Sequence, residues 1–318
     1  IYRGTSCFTI DIIPVAFCFG RRPTRAAEEN PMRELRRGSM TGAWALSLAL
    51  LVGCTQERNK SIELMNRGVE AGRQKLFERA ITELKQAAAT DPTNHPAHFN
   101  LGMVYKDQKK WPEAVTAFSE ALKYEGDNTN YRYELANAYQ QAGRLESART
   151  EFEATLKLDN RLYKAHYQMA MVLQSLEKFA EADQEYRKAI ELNPRFPQPF
   201  VRLGNLYLDN DYDQEAAQVF RAGIKIIDTD ADLHNGLGEA LRKLKQYEGA
   251  VPEFKRAMEL SSGDVTMAIY NLGMTYKAMD DRKNAKEWLQ KFVASGGGKG
   301  GADYVRAAQD AMYQLDAQ

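Results

Sequence analysis

The side chains best suited to chemistry in this chain are four histidines and three cysteines. His95 and His98 are three residues apart, a spacing at which two side chains on one helical face can bind the same metal ion. No cysteine or carboxylate nearby completes a ligand set. His98, His166 and His234 recur at intervals of 68 residues, which favours framework positions of a repeat over a metal site.

The patterns of common enzyme classes are missing. There is no HExxH zinc motif, GxSxG nucleophile motif, phosphate-binding loop or dinucleotide-binding fingerprint. The glycines of SGGGKGG, residues 295–301, do not follow a strand and make a poor phosphate cradle. Basic and acidic residues both number 43, whereas a nucleic-acid-binding protein shows a basic excess. We therefore expect no catalytic residue, no metal, no cofactor and no nucleic-acid partner.

Cys54 ends a short apolar run in a chain that is polar from that point onward. Arg33, Arg36 and Arg37 precede the apolar residues 43–52. A basic segment, a short apolar segment and then small residues are typical of a secretory signal, and the run is too short to span a membrane as a stable helix. We interpret residues 32–53 as a signal peptide and residues 54–60 as a tether.

The end of that run, Leu51-Val52-Gly53-Cys54, resembles the lipobox of bacterial lipoproteins. The resemblance implies cleavage before Cys54 and acylation of that residue, and several acyl chains on one residue give a lasting anchor. Thr55 stands where an aspartate would signal inner-membrane retention, so the resemblance implies the outer membrane, facing the periplasm. The alternatives are an ordinary signal with a chance cysteine, or a cysteine buried in a core helix.

Residues 1–31 have no clear period and begin with isoleucine. We interpret them as a segment outside the natural product, with translation starting at Met32; a disordered extension is the alternative. Cys7 and Cys18 lie in this segment, and their spacing fits no common zinc pattern.

A pattern of small and large residues recurs about every 34 residues from Ser61 onward. An alanine returns at Ala80, Ala114, Ala148, Ala182, Ala216, Ala250 and Ala285. A small residue precedes each alanine by twelve positions, and a large residue follows it by four. Such a period indicates a repeat array whose units bury their apolar faces against their neighbours.

The clearest copy is HFNLGMVYKDQKKWPEAVTAFSEAL, residues 98–122. It resembles the tetratricopeptide repeat at Leu101, Gly102, Tyr105, Ala114, Phe118 and Ala121. The resemblance implies an all-α fold: an α-solenoid, wound as a right-handed superhelix, of about seven helix-turn-helix repeats over residues 61–294.

After the array come the glycine-rich linker, residues 295–301, and residues 302–318. Their Tyr304, Ala308, Ala311, Met312 and Leu315 fall on one helical face. We interpret residues 302–318 as a helix that caps the array; a detached partner-binding tail is the alternative.

In the resembled family the first helix of each repeat lines a concave face, which implies a row of amide, aromatic and methionine side chains here. Side-chain amides both donate to and accept from a peptide backbone, and methionine adapts to varied partners. The candidate partner-binding residues are Asn66, Phe99, Asn100, Met103, Tyr133, Asn137, Tyr167, Gln168, Met171, Arg202, Asn205, Tyr270, Asn271 and Met274.

These features predict a non-catalytic, lipid-anchored scaffold that holds a protein partner or an extended peptide segment near the membrane. Lipoproteins that assist assembly of the type IV pilus secretin resemble this design, which implies a role in assembling a secretion or pilus machine. An adaptor that presents cell-wall hydrolases to a protease or synthase would share the same features, and an enzyme accessory or hidden transferase is a third alternative.

Overall fold

The computed structural model describes residues 40–263, 265–297 and 301–317, with side chains described from residue 55 onward. The chain divides into residues 1–52, in which the first part of one helix is described, and residues 53–318, which form the repeat unit. The signal and upstream predictions that fall on residues 1–39 lie outside the described part of the chain.

The described residues form fifteen α-helices and no strand. The helices are α1 Met40–Arg73, α2 Phe77–Thr90, α3 His95–Asp107, α4 Trp111–Tyr124, α5 Thr129–Gln141, α6 Leu145–Leu158, α7 Tyr163–Ser175, α8 Phe179–Leu192, α9 Pro197–Asp209, α10 Asp213–Ile226, α11 Ala231–Lys243, α12 Tyr247–Leu260, α13 Thr266–Ala278, α14 Arg282–Ala294 and α15 Gly301–Ala317. Within the repeat unit, consecutive helices pack in pairs, which confirms the all-α solenoid.

The same turn ends the first helix of every repeat. One residue adopts the left-handed conformation, with φ between 58° and 60° at six positions and 74° at Gly143. The next residue donates its backbone N–H to the carbonyl five residues earlier, as Lys110 does to Tyr105 at 2.9 Å. This is the Schellman arrangement. Only one of the seven left-handed residues is a glycine, so the sequence does not reveal this turn.

The core of each repeat is a small residue of the first helix packed against a large residue of the second. All seven recurrent alanines and all seven large residues are completely buried. A Cβ placed on Gly102 would lie 2.5 Å from a carbon of the Phe118 ring, closer than any real contact. The small residues therefore set the distance between the paired helices.

The contact between the fifth and sixth repeats is closer still. Phe220 of α10 lies between Gly204 of its own repeat and Gly236 of the next, and a Cβ on either glycine would be 2.3 Å from the ring. Gly223 of α10 likewise accommodates Leu233, which a Cβ would approach to 2.9 Å. Phe220 therefore has no free side toward which it could move.

Helix α15 packs on the last repeat. Ala308, Ala311 and Leu315 are buried in the same core cluster as Leu289 and Phe292. Lys277 also donates to Gln314 at 2.6 Å. The predicted cap is thus present.

Helix α1 runs through the predicted tether. Residues 54–60 lie inside Met40–Arg73, the helix whose later residues start the first repeat. The tether and the first repeat therefore share one helix, while the signal-peptide interpretation stays a prediction. Among the described residues, no helix combines the length and the apolar character needed to cross a membrane.

We expect Gly204→Ala to lower the free energy of unfolding by roughly 1–2 kcal/mol, because an overpacked core costs about 1–3 kcal/mol and helix propensity returns only about 1 kcal/mol. Gly249→Ala is the control, because its Cβ would lie 3.4 Å from Leu241. It should be neutral or stabilising. Urea unfolding followed by circular dichroism measures both, and equal stabilities for the two variants would contradict the packing argument.

Candidate functional site

The candidate residues occupy three recurrent positions of the first helices, and we call them the first-helix row. Most are half-buried; Asn66 and Arg202 are exposed, and Asn271 is buried. A half-buried position can both support the fold and contact a partner, so the contacts of each part of the row decide its role.

Near the start of the array, the row is largely committed to internal contacts. Phe99 stacks on Tyr131 with 4.5 Å between ring centroids and also meets Phe118 at 5.5 Å. Asn100 donates its amide to the Pro96 carbonyl at 2.8 Å. Asn66, which is exposed, and Met103, which is half-buried, complete this part of the row.

The centre of the row brings three predicted residues together. Tyr133 packs edge-on against Phe152 at 5.9 Å. Burial raises the pKa of the Tyr133 hydroxyl, and interactions with the Asn137 and Gln168 side chains oppose that rise. A neutral hydroxyl and two amides, from adjacent repeats, therefore form one polar cluster. Glu134, which interrupts the row, pairs with Lys106 at 2.6 Å.

Further along, the row opens into a cavity of about 160 Å³. Three predicted residues line it: Tyr167, Arg202 and Asn205. Asp230 and Asp232 line the same cavity. Asp230 is also the N-cap of α11, accepting from the backbone N–H of Leu233 at 3.1 Å. Two carboxylates and the Arg202 guanidinium therefore belong to residues that line one cavity.

A second cavity of about 210 Å³ adjoins the first through Asp232 and is lined by Asn235. The Asn235 Oδ1 atom is buried and has no hydrogen-bond partner among the described residues. An unpaired buried amide oxygen is costly, and a donor from a bound molecule would satisfy it. Sequence reasoning missed Asn235 and both aspartates. The available signal for Asn235 was its place in the repeat, because it stands 68 residues after Tyr167, at one of the positions of the row.

At the end of the array, the row is covered. Asn271 is buried, and Tyr270 packs between Phe292 and Tyr304 with 5.0 Å to each ring. Since Tyr304 belongs to α15, the cap occupies the space beside Tyr270. Met274 is half-buried against the same core. These three predicted residues stabilise the end of the array and do not line the two cavities.

Two of the four histidines, His166 and His234, connect the loops between repeats to the second helices. His166 bonds through Nδ1 to Glu185 at 2.6 Å and through Nε2 to the Asn160 carbonyl at 3.0 Å. Both partners are acceptors, so both ring nitrogens must carry protons. Burial opposes the charged form, but the Glu185 carboxylate and the Asn160 carbonyl outweigh it and raise the pKa of His166.

The same pair of contacts recurs elsewhere in the array. His234 bonds to Glu253 at 2.6 Å and to the Asp228 carbonyl at 3.1 Å, and Arg132 makes the equivalent contacts to Glu151 at 2.9 Å and to the Gly126 carbonyl at 3.0 Å. His98 keeps only the loop contact, to Pro92 at 3.1 Å. Within the described residues, no group of three or more potential ligands could hold a metal ion.

Consecutive helices that pack in pairs, with the same small and large residues at the same positions of each pair, define a helical-repeat array. Models of the tetratricopeptide repeat match residues 65–131, 105–172, 163–196, 231–264 and 268–294. The chain therefore belongs to the tetratricopeptide repeat family, whose arrays bind peptides or protein partners. The fifth repeat, residues 197–230, falls between these matches. A comparison with curated proteins finds no significant match.

Solved structures show the same fold at low sequence identity. A tetratricopeptide repeat protein from Parabacteroides merdae is 18% identical, with a TM-score of 0.58, over 82% of this chain and 100% of its own. PilF from Pseudomonas aeruginosa is 17% identical, with a TM-score of 0.56, over 68% and 96% of the two chains. YrrB, described as having an unusual peptide-binding site, is 21% identical, with a TM-score of 0.50, over 62% and 99%.

The raised pKa of His166 predicts a pH dependence of stability. The contribution of His166 is complete below its unfolded pKa of about 6.5 and is lost as the pH rises through the higher folded pKa. We expect Glu185→Gln to lower the free energy of unfolding by roughly 1–2 kcal/mol between about pH 5 and 6.5, with a smaller loss at higher pH. Urea titrations at several pH values measure this.

Glu191→Gln is the matched control, because Glu191 lies on the same helix and pairs only with the exposed Lys188. The free energy of unfolding of Glu191→Gln should equal that of the parent chain at every pH. A constant difference between Glu185→Gln and the parent chain across this range would show that the Glu185 contact does not depend on the His166 charge.

Proposed function

We propose that this protein is a non-catalytic scaffold, anchored in the outer membrane through Cys54 and facing the periplasm, that holds a protein partner along its first-helix row. Its role is to assist assembly of a secretion or type IV pilus machine. The observation that carries the binding proposal is the pair of adjoining cavities, because they join predicted row residues to the unpaired amide oxygen of Asn235.

An extended peptide segment suits this surface. Backbone N–H groups can donate to Asn235 and to Asp232, which lines both cavities, and backbone carbonyls can accept from Arg202. The Tyr133 cluster adds amides that both donate and accept. Each such bond contributes about 0.5–1.5 kcal/mol, so several are needed along the row. YrrB supports the proposal as a member of the same fold whose peptide-binding site is recorded.

The anchor rests on the sequence. The basic segment, the apolar run and the lipobox-like end at Cys54 support export and acylation. The location of α1 supports proximity to the membrane: because the helix that includes residue 54 also starts the first repeat, little chain separates an acyl group from the array. The pilus role rests on resemblance to acylated arrays that assist secretin assembly, and the likeness to PilF concerns the fold alone.

A photo-crosslinking amino acid at Tyr133 or Met171 tests the site. In living cells, we expect irradiation to give adducts with a secretin or pilus component, identified by mass spectrometry, because both positions are half-buried members of the row. The same amino acid at Lys157, an exposed position on a second helix, should not give those adducts.

Three outcomes count against parts of the proposal. Adducts with a cell-wall hydrolase would favour the adaptor role, and altered hydrolase levels in a deletion strain would support it. Adducts at Lys157 alone would assign binding to the second helices. Unchanged secretin multimers in the deletion strain would contradict the assembly role.

Replacing the acylated residue tests the anchor. We expect Cys54→Ser to move the protein from the membrane fraction to the soluble periplasmic fraction, because no acyl chain can then be attached. In an enteric-type host, Thr55→Asp should stay membrane-bound but shift to the inner membrane. Fractionation followed by immunoblotting measures both. Membrane association of Cys54→Ser equal to the parent chain would refute the anchor.

A further inference from the structure

A pocket of about 490 Å³ lies between α8 and the end of α9, outside the first-helix row. Phe179, Leu206, Tyr207 and Tyr212 line it, together with Asp183. Phe179 is 42% exposed and Tyr212 is 57% exposed, so both rings are accessible to a bound group. We call this surface the Tyr207 pocket.

Tyr207 occupies a first-helix position where other repeats also carry a tyrosine, and those rings are covered by a cation of the same chain. Lys85 lies 6.0 Å from the Tyr105 ring centroid, and Lys255 lies 5.9 Å from that of Tyr276. These distances are within the range of cation–π attraction. The chain thus satisfies the faces of its equivalent tyrosines with its own basic residues.

At Tyr207 the basic residue is turned away from the ring face. Arg187 stands at the same repeat position as Lys85 and Lys255, but it donates to the Tyr207 hydroxyl at 2.7 Å and to Asp183 at 2.8 Å. Asp183 also accepts from the Tyr207 hydroxyl. Arg187 is therefore held at the edge of the ring, and no described cation–π contact involves Tyr207.

The third repeat shows what fits such a site. Trp111, Tyr139 and Arg144 each stand 68 residues before Phe179, Tyr207 and Tyr212, at the same positions two repeats earlier. There the Arg144 guanidinium lies 4.6 Å from the Tyr139 ring centroid. In the fifth repeat a tyrosine replaces this arginine, so the pocket gains an aromatic wall and lacks the cation.

The charge around the pocket favours a cationic occupant. Residues 209–215, DNDYDQE, carry four acidic residues and no basic one. Lys243 pairs with Asp211 at 3.0 Å and with Asp213 at 3.2 Å, while Asp209 and Glu215 are exposed. Such a field attracts positive charge to the adjoining surface.

We propose that the Tyr207 pocket receives an arginine side chain of a protein partner, with the guanidinium lying over Tyr207 between Phe179 and Tyr212. This contact repeats, between two molecules, the one that Arg144 makes with Tyr139 inside the array. It is separate from the first-helix row and stands whether or not that row binds a peptide.

A fluorescein-labelled, end-blocked peptide with two arginines separated by Gly-Ser provides the probe, and a peptide with citrulline at both positions is its uncharged isostere. With the full-length chain, we expect fluorescence anisotropy to show saturable binding of the arginine peptide, about tenfold weaker for the citrulline peptide. Tyr212→Arg should weaken arginine-peptide binding to a similar degree, because it restores the arrangement of the third repeat.

Tyr212→Phe is the matched control and should bind like the parent chain, since it keeps the aromatic wall. Tyr133→Ala, in the first-helix row, should also bind like the parent chain. Unchanged thermal unfolding of both Tyr212 variants excludes a folding defect.

The proposal is overturned by equal affinity for the arginine and citrulline peptides, by unchanged binding to Tyr212→Arg, or by no binding at millimolar peptide. Loss of binding in Tyr133→Ala alone would place the peptide in the first-helix row. Tighter binding of a lysine peptide would indicate that a lysine side chain, and not an arginine, occupies the pocket.

Discussion

The close contact between a small residue and a large one within each repeat determines the rest of the structure. The contact brings the paired helices together and completely buries seven large side chains, each contributing about 1.5–3 kcal/mol by its removal from water. Alanine replaces glycine at Ala136 and Ala170, where the facing rings are Phe152 and Tyr186. The distance between the paired helices therefore leaves room for one methyl group in some repeats and for none in others. Phe220, with glycine on both sides, is at the position with the least room.

Because this contact and the recurrent turn maintain the fold, other positions are free to differ between repeats. The first-helix row changes from Asn100 and Met103 near the start to Arg202 and Asn205 further along. The row is interrupted at Gly236, where the position is used to pack Phe220. The two cavities lie on either side of Asp232, next to this tight junction. The packing that stabilises the fifth and sixth repeats thus also shapes the surface that we propose for partner binding.

The repeat fold was predictable because small and large residues return at fixed intervals. Gly102 and Phe118 are read directly from the sequence. The turn at Lys109 cannot be read from the sequence, because lysine has no intrinsic preference for a positive φ. The helices on both sides hold Lys109 in that conformation. The two aspartates become neighbours of Tyr167 only through the distance between successive first helices. The coverage of Tyr270 depends on α15, which belongs to no repeat.

The binding surfaces proposed for this array depend on many weak contacts. Here the polar contacts are spread over several repeats, and each is weak: about 0.5–1.5 kcal/mol for a hydrogen bond and about 0.5–1 kcal/mol for an exposed cation–π pair. Helix α9 carries both Arg202, beside one cavity, and Tyr207, in the separate pocket. A partner long enough to reach both would gain from the second contact without a further loss of translational freedom. Selectivity then comes from the spacing of the contacts along the repeats, which a rigid array is suited to maintain.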